Sequence, residues 1–290
     1  MTPEKGVLLS RFTTIGTGGS ARAFARPQTL DQLEEALRFG AERNLAVRAV
    51  GLGSNLLAAD GGVEALVLRL TGSLAQARAD GDLLVAGGGA TNAVCLHRAR
   101  AAGLGGFEFA CAIPGTAGGG VWMNAGAYGS DWAAVLVRVL VATADGTGWL
   151  TPRELGLSYR HSELGAGQIV AEVEYHLEAR GRDEIASRVA ELVSLRKATQ
   201  PTNKRTFGSV FKNPPGELGA GRLLELCDLK GFRVGGAMIS PKHANFIENA
   251  GGATTADCIA LMAEARRRAR EQHGVELEHE VVFLGDLSLP

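Results

Sequence analysis

The stretch Cys111–Gly129, CAIPGTAGGGVWMNAGAYG, holds six glycines and no charged residue around a single Ile113-Pro114-Gly115-Thr116 turn. Glycine costs about 1 kcal/mol per helical position relative to alanine, so this composition argues against a good helix. Where side chains are missing, main-chain N–H groups can approach a phosphate or a flat heterocycle, and a run of them forms an anion-binding concavity. The alternative is a tight loop whose glycines supply positive φ.

The rest of the composition bounds the reading. At 290 residues the chain is long enough for two or three domains and a large core. Thirty Lys and Arg against thirty-one Asp and Glu leave a net charge of -1, which points to no nucleic-acid or membrane-surface partner. Forty glycines, about twice the usual share, follow no collagen period and indicate many tight turns and ligand-facing loops. Cys95, Cys111, Cys227 and Cys258 are too scattered for a zinc cassette or a disulfide framework, and the six histidines lack metal-ligand spacing. No metal is expected, and a reducing, cytoplasmic compartment fits. The start MTPEKGVLLSRF lacks the apolar run of a signal peptide, and no stretch of about 20 apolar residues offers a membrane span.

Working outward, Thr29 is expected to cap a helix reaching about Asn44, with Gln32 completing a capping box. Strands are expected at Ala46–Val50, Val63–Leu70 and Leu83–Ala86, and a helix at Thr91–Ala102 closed by Gly103. From Ile169 apolar and polar residues alternate through Glu178, the pattern of an antiparallel strand with one wet face. Helices follow at Arg182–Ala198, Ala220–Cys227 and Thr255–Gln272. The basic run Arg266, Arg267, Arg268 and Arg270 reads better as a solvated helix face than as a nucleic-acid patch. The last strand is expected over Val275–Leu284, with Glu276, Glu278 and Glu280 on one face and Leu277, His279 and Val281 on the other.

Nucleotide signatures of the Rossmann and P-loop kinds are absent: Gly51-Leu52-Gly53-Ser54-Asn55-Leu56 breaks the first pattern at its last position. That turn still offers backbone donors and a hydroxyl suited to pyrophosphate, with an ordinary turn as the alternative. In Arg205–Pro214, Gly208 frees the backbone beside Ser209, while Lys212 and Asn213 suit phosphate, carboxylate or sugar hydroxyls; the alternative is a polar loop. No G-x-S-x-G elbow surrounds Ser209, so a hydrolase nucleophile is not supported, whereas a neutral hydroxyl can protonate a basic carbanion. Glu280, next to Val282 on a face that turns apolar, suits acid catalysis if partly buried, with a solvated strand edge as the alternative, and Glu278 is the weaker candidate. Arg160 in Tyr159-Arg160-His161-Ser162 offers a fork for a carboxylate or a surface salt bridge. His243-Ala244-Asn245-Phe246 reads as a binding loop or a satisfied polar turn.

Taken in order, these segments resemble the UDP-N-acetylenolpyruvoylglucosamine reductase (MurB) family of peptidoglycan synthesis. The match runs through Thr14–Gly19, Gly51–Leu57, Ile113–Gly129, Tyr159–Ser162, Thr199-Gln200-Pro201, Gly208–Pro214, Ser240–Asn249 and Leu277–Val281, nearly the whole chain. The short spacing between Tyr159 and Gln200 is similar to the compact type that lacks an extra tyrosine-bearing loop. Cys111-Ala112 stands where Ala-Gly is common, and Thr13 or Thr14 replaces an Asn-Thr pair.

The resemblance implies an α+β flavoprotein with an FAD-binding fold of the vanillyl-alcohol-oxidase/PCMH type and a C-terminal α+β substrate-binding domain. It places FAD-binding subdomains at residues 1–66 and 67–182 and the substrate domain at 183–290, the last strand staying there or returning to the FAD domain. It implies noncovalent FAD held by Gly51, Gly53, Ser54, Asn55, Leu56, Ile113, Pro114, Gly115, Thr116, Gly118, Gly119, Asn124, Gly126 and Ala127. NADPH would be the co-substrate and a UDP-sugar enolpyruvyl ether the substrate, contacted by Tyr128, Tyr159, Lys212, Asn213, His243 and Asn245. Ser209 would protonate the enolate, and Arg160 and Glu280 would stabilise charge on the carboxylate. The implied setting is a cytoplasmic monomer serving cell-wall biogenesis, cell shape and cell division. Another FAD-dependent oxidoreductase on the same scaffold, or a non-catalytic nucleotide-sugar binder, is the alternative.

Overall fold

The computed structural model describes residues 2–290. The chain forms two compact units, each discontinuous in sequence. The first comprises the chain up to Lys5, Arg22–Leu52 and Glu64–Leu195; the second comprises Gly6–Ala21, Gly53–Val63 and Arg196–Pro290. The chain therefore crosses between units inside the Gly51–Leu57 turn and again inside the helix at Arg182–Thr199.

In the first unit, α1 (Leu30–Glu42) is capped by Thr29, whose side chain accepts from Gln32 N. The reciprocal arm differs from a capping box, because Gln32 Oε1 accepts from Gln28 N, one residue before the cap. Leu33 and Leu37 of α1 pack with Val47 of strand Ala46–Ala49 and with Leu66 and Leu68 of strand Val63–Leu68. Gly40 lets helix and strand close up, since a Cβ there would lie 2.7 Å from Val47 Cγ2. These two strands run parallel in one sheet.

The second sheet of this unit is antiparallel throughout, in the order Gly146–Leu150, Leu136–Thr143, Ile169–His176, Leu83–Gly87, Ala77–Asp80. Its wet face is less wet than the alternation implied: Glu174 is buried, held by a two-pronged bond from Arg138 at 2.7 and 2.8 Å. On the other face Phe107, Phe109, Trp132 and Tyr175 form an aromatic core with ring centroids 5.0–5.6 Å apart. Trp132 Nε1 donates to the Tyr175 hydroxyl at 2.9 Å, so the two polar tips in this cluster partner each other. Against that sheet lie α2 (Asn92–Ala102), with Thr91 as N-cap and Gly103 in the left-handed region at φ 70, and the short α3 (Ala117–Trp122).

That α3 forms is a correction to the composition argument. Thr116 caps it through a bond from Gly119 N at 3.3 Å. Packing then overrides propensity, because two of the three glycines admit a neighbour: a Cβ on Gly120 would overlap the Trp132 ring, and one on Gly118 would lie 2.9 Å from Gly88 O. α4 (Arg182–Thr199) ends the unit.

The second unit pairs Thr206–Ser209, Phe246–Asn249, Ala237–Ile239 and Arg233–Val234 in that order, antiparallel. Its core joins Phe207, Phe211 and Ile247 to Leu223 and Leu224 of α5 (Ala220–Leu226) and to Leu261 and Met262 of α6 (Thr255–His273). α6 begins with a capping box of Thr254 and Asp257, and the Asp60 carboxylate accepts from Thr255 N and Ala256 N, both at 3.0 Å. Its basic run is engaged with Glu264, Glu271 and Glu276, and Arg267 and Arg268 hold the Glu264 carboxyl down at about 2. That is the solvated helix face expected.

The last strand is shorter than its alternation suggested. Only Val282–Leu284 is regular, paired in parallel with Leu56–Ala58. Upstream, a single bridge joins His279 to Phe211. Leu277 and Val281 remain buried, so the period-two pattern reports burial there without a continuous ladder.

Candidate active site

The first unit carries the Ile113–Gly129 loop. Asn92, the first residue of α2 and buried, donates from its main-chain N to Gly115 O at 3.0 Å and from Nδ2 to Ile113 O at 2.8 Å. Ala117 N and Gly118 N donate to Ala90 O and Gly88 O, both at 2.8 Å, so the loop lies fixed along the end of the Leu83–Gly87 strand. Gly51 approaches it closely, since a Cβ there would be 2.7 Å from Thr116 Oγ1.

The far end of the loop is built around the arginine. Asn124, buried with φ 38, accepts from Ala133 N at 2.9 Å and donates to Ser158 O at 3.0 Å, joining loop to turn. Ser158 and His161 exchange two 3.1 Å bonds around Tyr159-Arg160. Within this turn Arg160 takes φ 56, a left-handed conformation that is uncommon away from glycine. Its Nη2 donates to Gly126 O at 2.7 Å, and a Cβ on Gly126 would lie 3.1 Å from Nη1. Gly126 and Asn124 thus shape the seat of Arg160. Tyr159 is exposed beneath the guanidinium, 4.9 Å from carbon to ring centroid, and Tyr128 donates its hydroxyl to Leu192 O at 3.2 Å.

The second unit carries Gly53–Leu57, Ser209 and Glu280. Gly53 has φ 67 and no space for a side chain, because a Cβ would overlap the Phe12 carbonyl. Next to it, a Cβ on Gly208 would lie 3.1 Å from Ser54 O. Asn55 Nδ2 donates to Glu280 O at 2.9 Å, and Val282 N donates to Asn55 O at 3.1 Å. Ser209, Glu280 and the glycine turn are therefore parts of one bonded assembly. Beyond Ser209, Val210 O accepts from Glu280 N at 3.0 Å, and Lys212 N donates to Glu278 O at 2.9 Å.

Several expected substrate contacts have partners inside this unit. Asn213 Oδ1 accepts from Ala220 N at 3.0 Å, capping α5. Lys212 Nζ bonds Glu278 at 2.6 Å, which occupies the weaker of the two glutamate candidates. Asn245 is buried and spends its carboxamide on Phe211, and His243 Nδ1 accepts from Asn245 N at 3.2 Å. Burial depresses the His243 pKa below 6.5, with the Lys230 charge adding to the shift. Asn92 and the clamping role of Asn245 escaped sequence reasoning, since an asparagine after a helix cap and one in a polar turn look alike whether or not they clamp a distant backbone.

The loops suit a dinucleotide. Neither 51–57 nor 111–129 contains Asp or Glu to repel phosphate. Among the described residues, the buried side-chain polar atoms without partners are Asn55 Oδ1 and Asn92 Oδ1, one in each loop system. Such orphans mark places that a ligand or ordered water completes.

Comparison with known proteins agrees. Residues 21–149 match the family model described as FAD binding domain, and residues 200–284 match UDP-N-acetylenolpyruvoylglucosamine reductase, C-terminal domain. Glycine-loop fold and site together define an FAD-dependent oxidoreductase. UDP-N-acetylenolpyruvoylglucosamine reductase 2 of Symbiobacterium thermophilum is 45% identical over 96% of this chain and 90% of its own length, and the Myxococcus xanthus reductase is 44% identical over 98% and 92%. The crystal structure of the Thermus caldophilus enzyme (MurB) aligns with a TM-score of 0.85 at 38% identity, covering 98% of this chain and 99% of that one. The chain belongs to the UDP-N-acetylenolpyruvoylglucosamine reductase family. No helix among the described residues is long and apolar enough to cross a membrane.

Proposed function

We propose that this chain catalyses the reaction for which its family is named: the NADPH-dependent reduction of UDP-N-acetylglucosamine enolpyruvate to UDP-N-acetylmuramate. Bound FAD supplies the hydride relay between NADPH and the enolpyruvyl methylene carbon. The observation that carries the reading is the bonded assembly of Asn55, Gly208-Ser209 and Glu280, which holds a hydroxyl, a carboxylate and a flavin loop in one unit.

Hydride addition at the methylene carbon leaves an enolate, and Ser209 donates its hydroxyl proton to the adjacent carbon, closing the lactyl ether. The serine is neutral at working pH and is reprotonated from solvent. Arg160, permanently charged and anchored at Gly126, takes the substrate carboxylate, on which charge grows as the enolate forms. Glu280 serves the same charged centre, and its backbone is fixed from two sides by Asn55 and Val210. FAD is held without a covalent bond by the two glycine loops, and the protein works as a cytoplasmic monomer whose other partners are small molecules.

The absorbance spectrum of the purified protein tests this reading. A yellow protein that bleaches with NADPH and recovers its colour with the UDP-sugar is expected. A colourless protein that cannot be loaded with FAD, or one that the UDP-sugar leaves bleached, would overturn it.

A further inference from the structure

Resting on that reaction, we infer that Asn245 is a positioning residue for proton delivery by Ser209, its carboxamide acting as a surrogate peptide group where the sheet runs out. Strand Thr206–Ser209 pairs with Phe246–Asn249 through an irregular register whose final pair is Ser209 with Phe246. Past that pair the chain leaves the ladder. Val210 N still finds Asn245 O at 2.9 Å, but on this edge Phe211 has no strand residue to face.

The Asn245 side chain fills the gap. Phe211 N donates to Oδ1 at 2.9 Å, and Nδ2 donates to Phe211 O at 2.8 Å. In extended backbone the N–H and C=O of one residue point to the same edge, so one carboxamide can meet both, as a paired strand residue would. On the opposite edge Glu280 N, Glu278 O and the bridge of His279 to Phe211 complete the hold. Val210 is thus bonded on both sides, while the N–H and C=O of Phe211 both depend on the carboxamide of Asn245, a residue only 3% exposed.

Both polar ends of that amide are spent, so Asn245 acts through the backbone and not by touching substrate. Placement is what proton transfer needs: a shift of about 1 Å at a reacting group can cost about 100-fold in rate. The NADPH half of the cycle makes no use of Ser209. Loss of the clamp therefore separates the two halves, whereas a merely structural role would damage both.

The test follows both half-reactions by stopped flow in FAD-loaded Asn245→Ala and Asn245→Asp. Bleaching by NADPH within about twofold of the parent is expected, with reoxidation by the UDP-sugar slowed about 10- to 100-fold, a larger solvent isotope effect and little change in KM. The Asp variant, which keeps an acceptor for Phe211 N–H and loses the donor to Phe211 O, should fall between parent and Ala. Parallel slowing of both halves, reoxidation at the parental rate, a KM effect alone, or failure of both variants to hold FAD would overturn the inference. Should only the Ala variant fail to fold, the Asp variant decides by the same criteria. A parent that does not itself complete the cycle would overturn the reaction instead.

Discussion

Asn55 Nδ2 donates to the main-chain oxygen of Glu280 at 2.9 Å, while the Asn55 carbonyl accepts from Val282 N at 3.1 Å. One residue of a glycine turn thereby ties down the segment that carries the carboxylate proposed to act in catalysis, Glu280. Asn55→Ala removes the side-chain half of the tie. A net hydrogen bond of about 0.5–1.5 kcal/mol corresponds to FAD binding about 2- to 10-fold weaker, measurable by titrating apoprotein. Reoxidation by the UDP-sugar should slow as well. Unchanged affinity together with an unchanged rate would show that the bond couples nothing.

The glycines separate into those that need space and those that need only φ. Gly53 and Gly129 both lie at positive φ, 67 and 82, but a Cβ on Gly53 would overlap the Phe12 carbonyl while one on Gly129 meets nothing within 4 Å. Gly129→Ala should cost about 1–2 kcal/mol, the left-handed penalty alone. Gly53→Ala adds a backbone displacement and should cost at least about 3 kcal/mol and lose FAD. Denaturant melts and flavin content measure both; equal losses would contradict the distinction.

Among the charged groups, Glu278 bonds Lys212 with its side chain 72% exposed. A pair whose carboxylate lies in solvent contributes little, even though the Lys212 side chain is only 19% exposed, so Glu278→Gln should keep turnover within about twofold. Glu280→Gln should slow substrate-driven reoxidation by about 100-fold or more. Arg160→Lys should be similarly impaired, because an ammonium lacks the fork that meets Gly126 O and a carboxylate together. Equal, mild effects for the two glutamine variants would remove the case for Glu280.

His243 gives the fold a pH dependence. Its folded pKa is depressed below 6.5 by burial, so in the window between the two values the unfolded chain binds more protons than the folded one. Stability contributed by neutral His243 is therefore present above about pH 6.5 and is lost progressively as pH falls through the folded value. Urea melts from pH 8 to 5 should show this decline, and His243→Gln should flatten part of it. A variant with the parental slope would show that other groups set the decline.

Much of the fold and site is visible in the sequence where local rules decide. Thr29, Thr91 and Gly103 mark helix ends because caps act within one turn of chain, and the Arg182 helix follows from its own composition. What stays hidden depends on distant partners. The helix at Ala117 packs because Gly120 receives a ring from Trp132, and the last strand is regular only over Val282–Leu284, with one isolated bridge of His279 to Phe211 upstream. Ser209, Arg160 and Glu280 are recognisable as residue types in an ordered set. The asparagines that hold the surrounding backbone, Asn55, Asn92, Asn124 and Asn245, each donate from Nδ2 to a main-chain oxygen 21 to 225 residues away, and no spacing rule announces them.

The central claim, that Ser209 delivers a proton in only one half of the cycle, is tested most directly by stopped-flow absorbance of FAD-loaded Ser209→Ala. The account predicts bleaching by NADPH at the parental rate, followed by reoxidation with the UDP-sugar slowed by about 10²- to 10⁴-fold, the range for a removed general acid, with Ser209→Cys recovering part of the loss. Slow bleaching, or reoxidation at the parental rate, would contradict it.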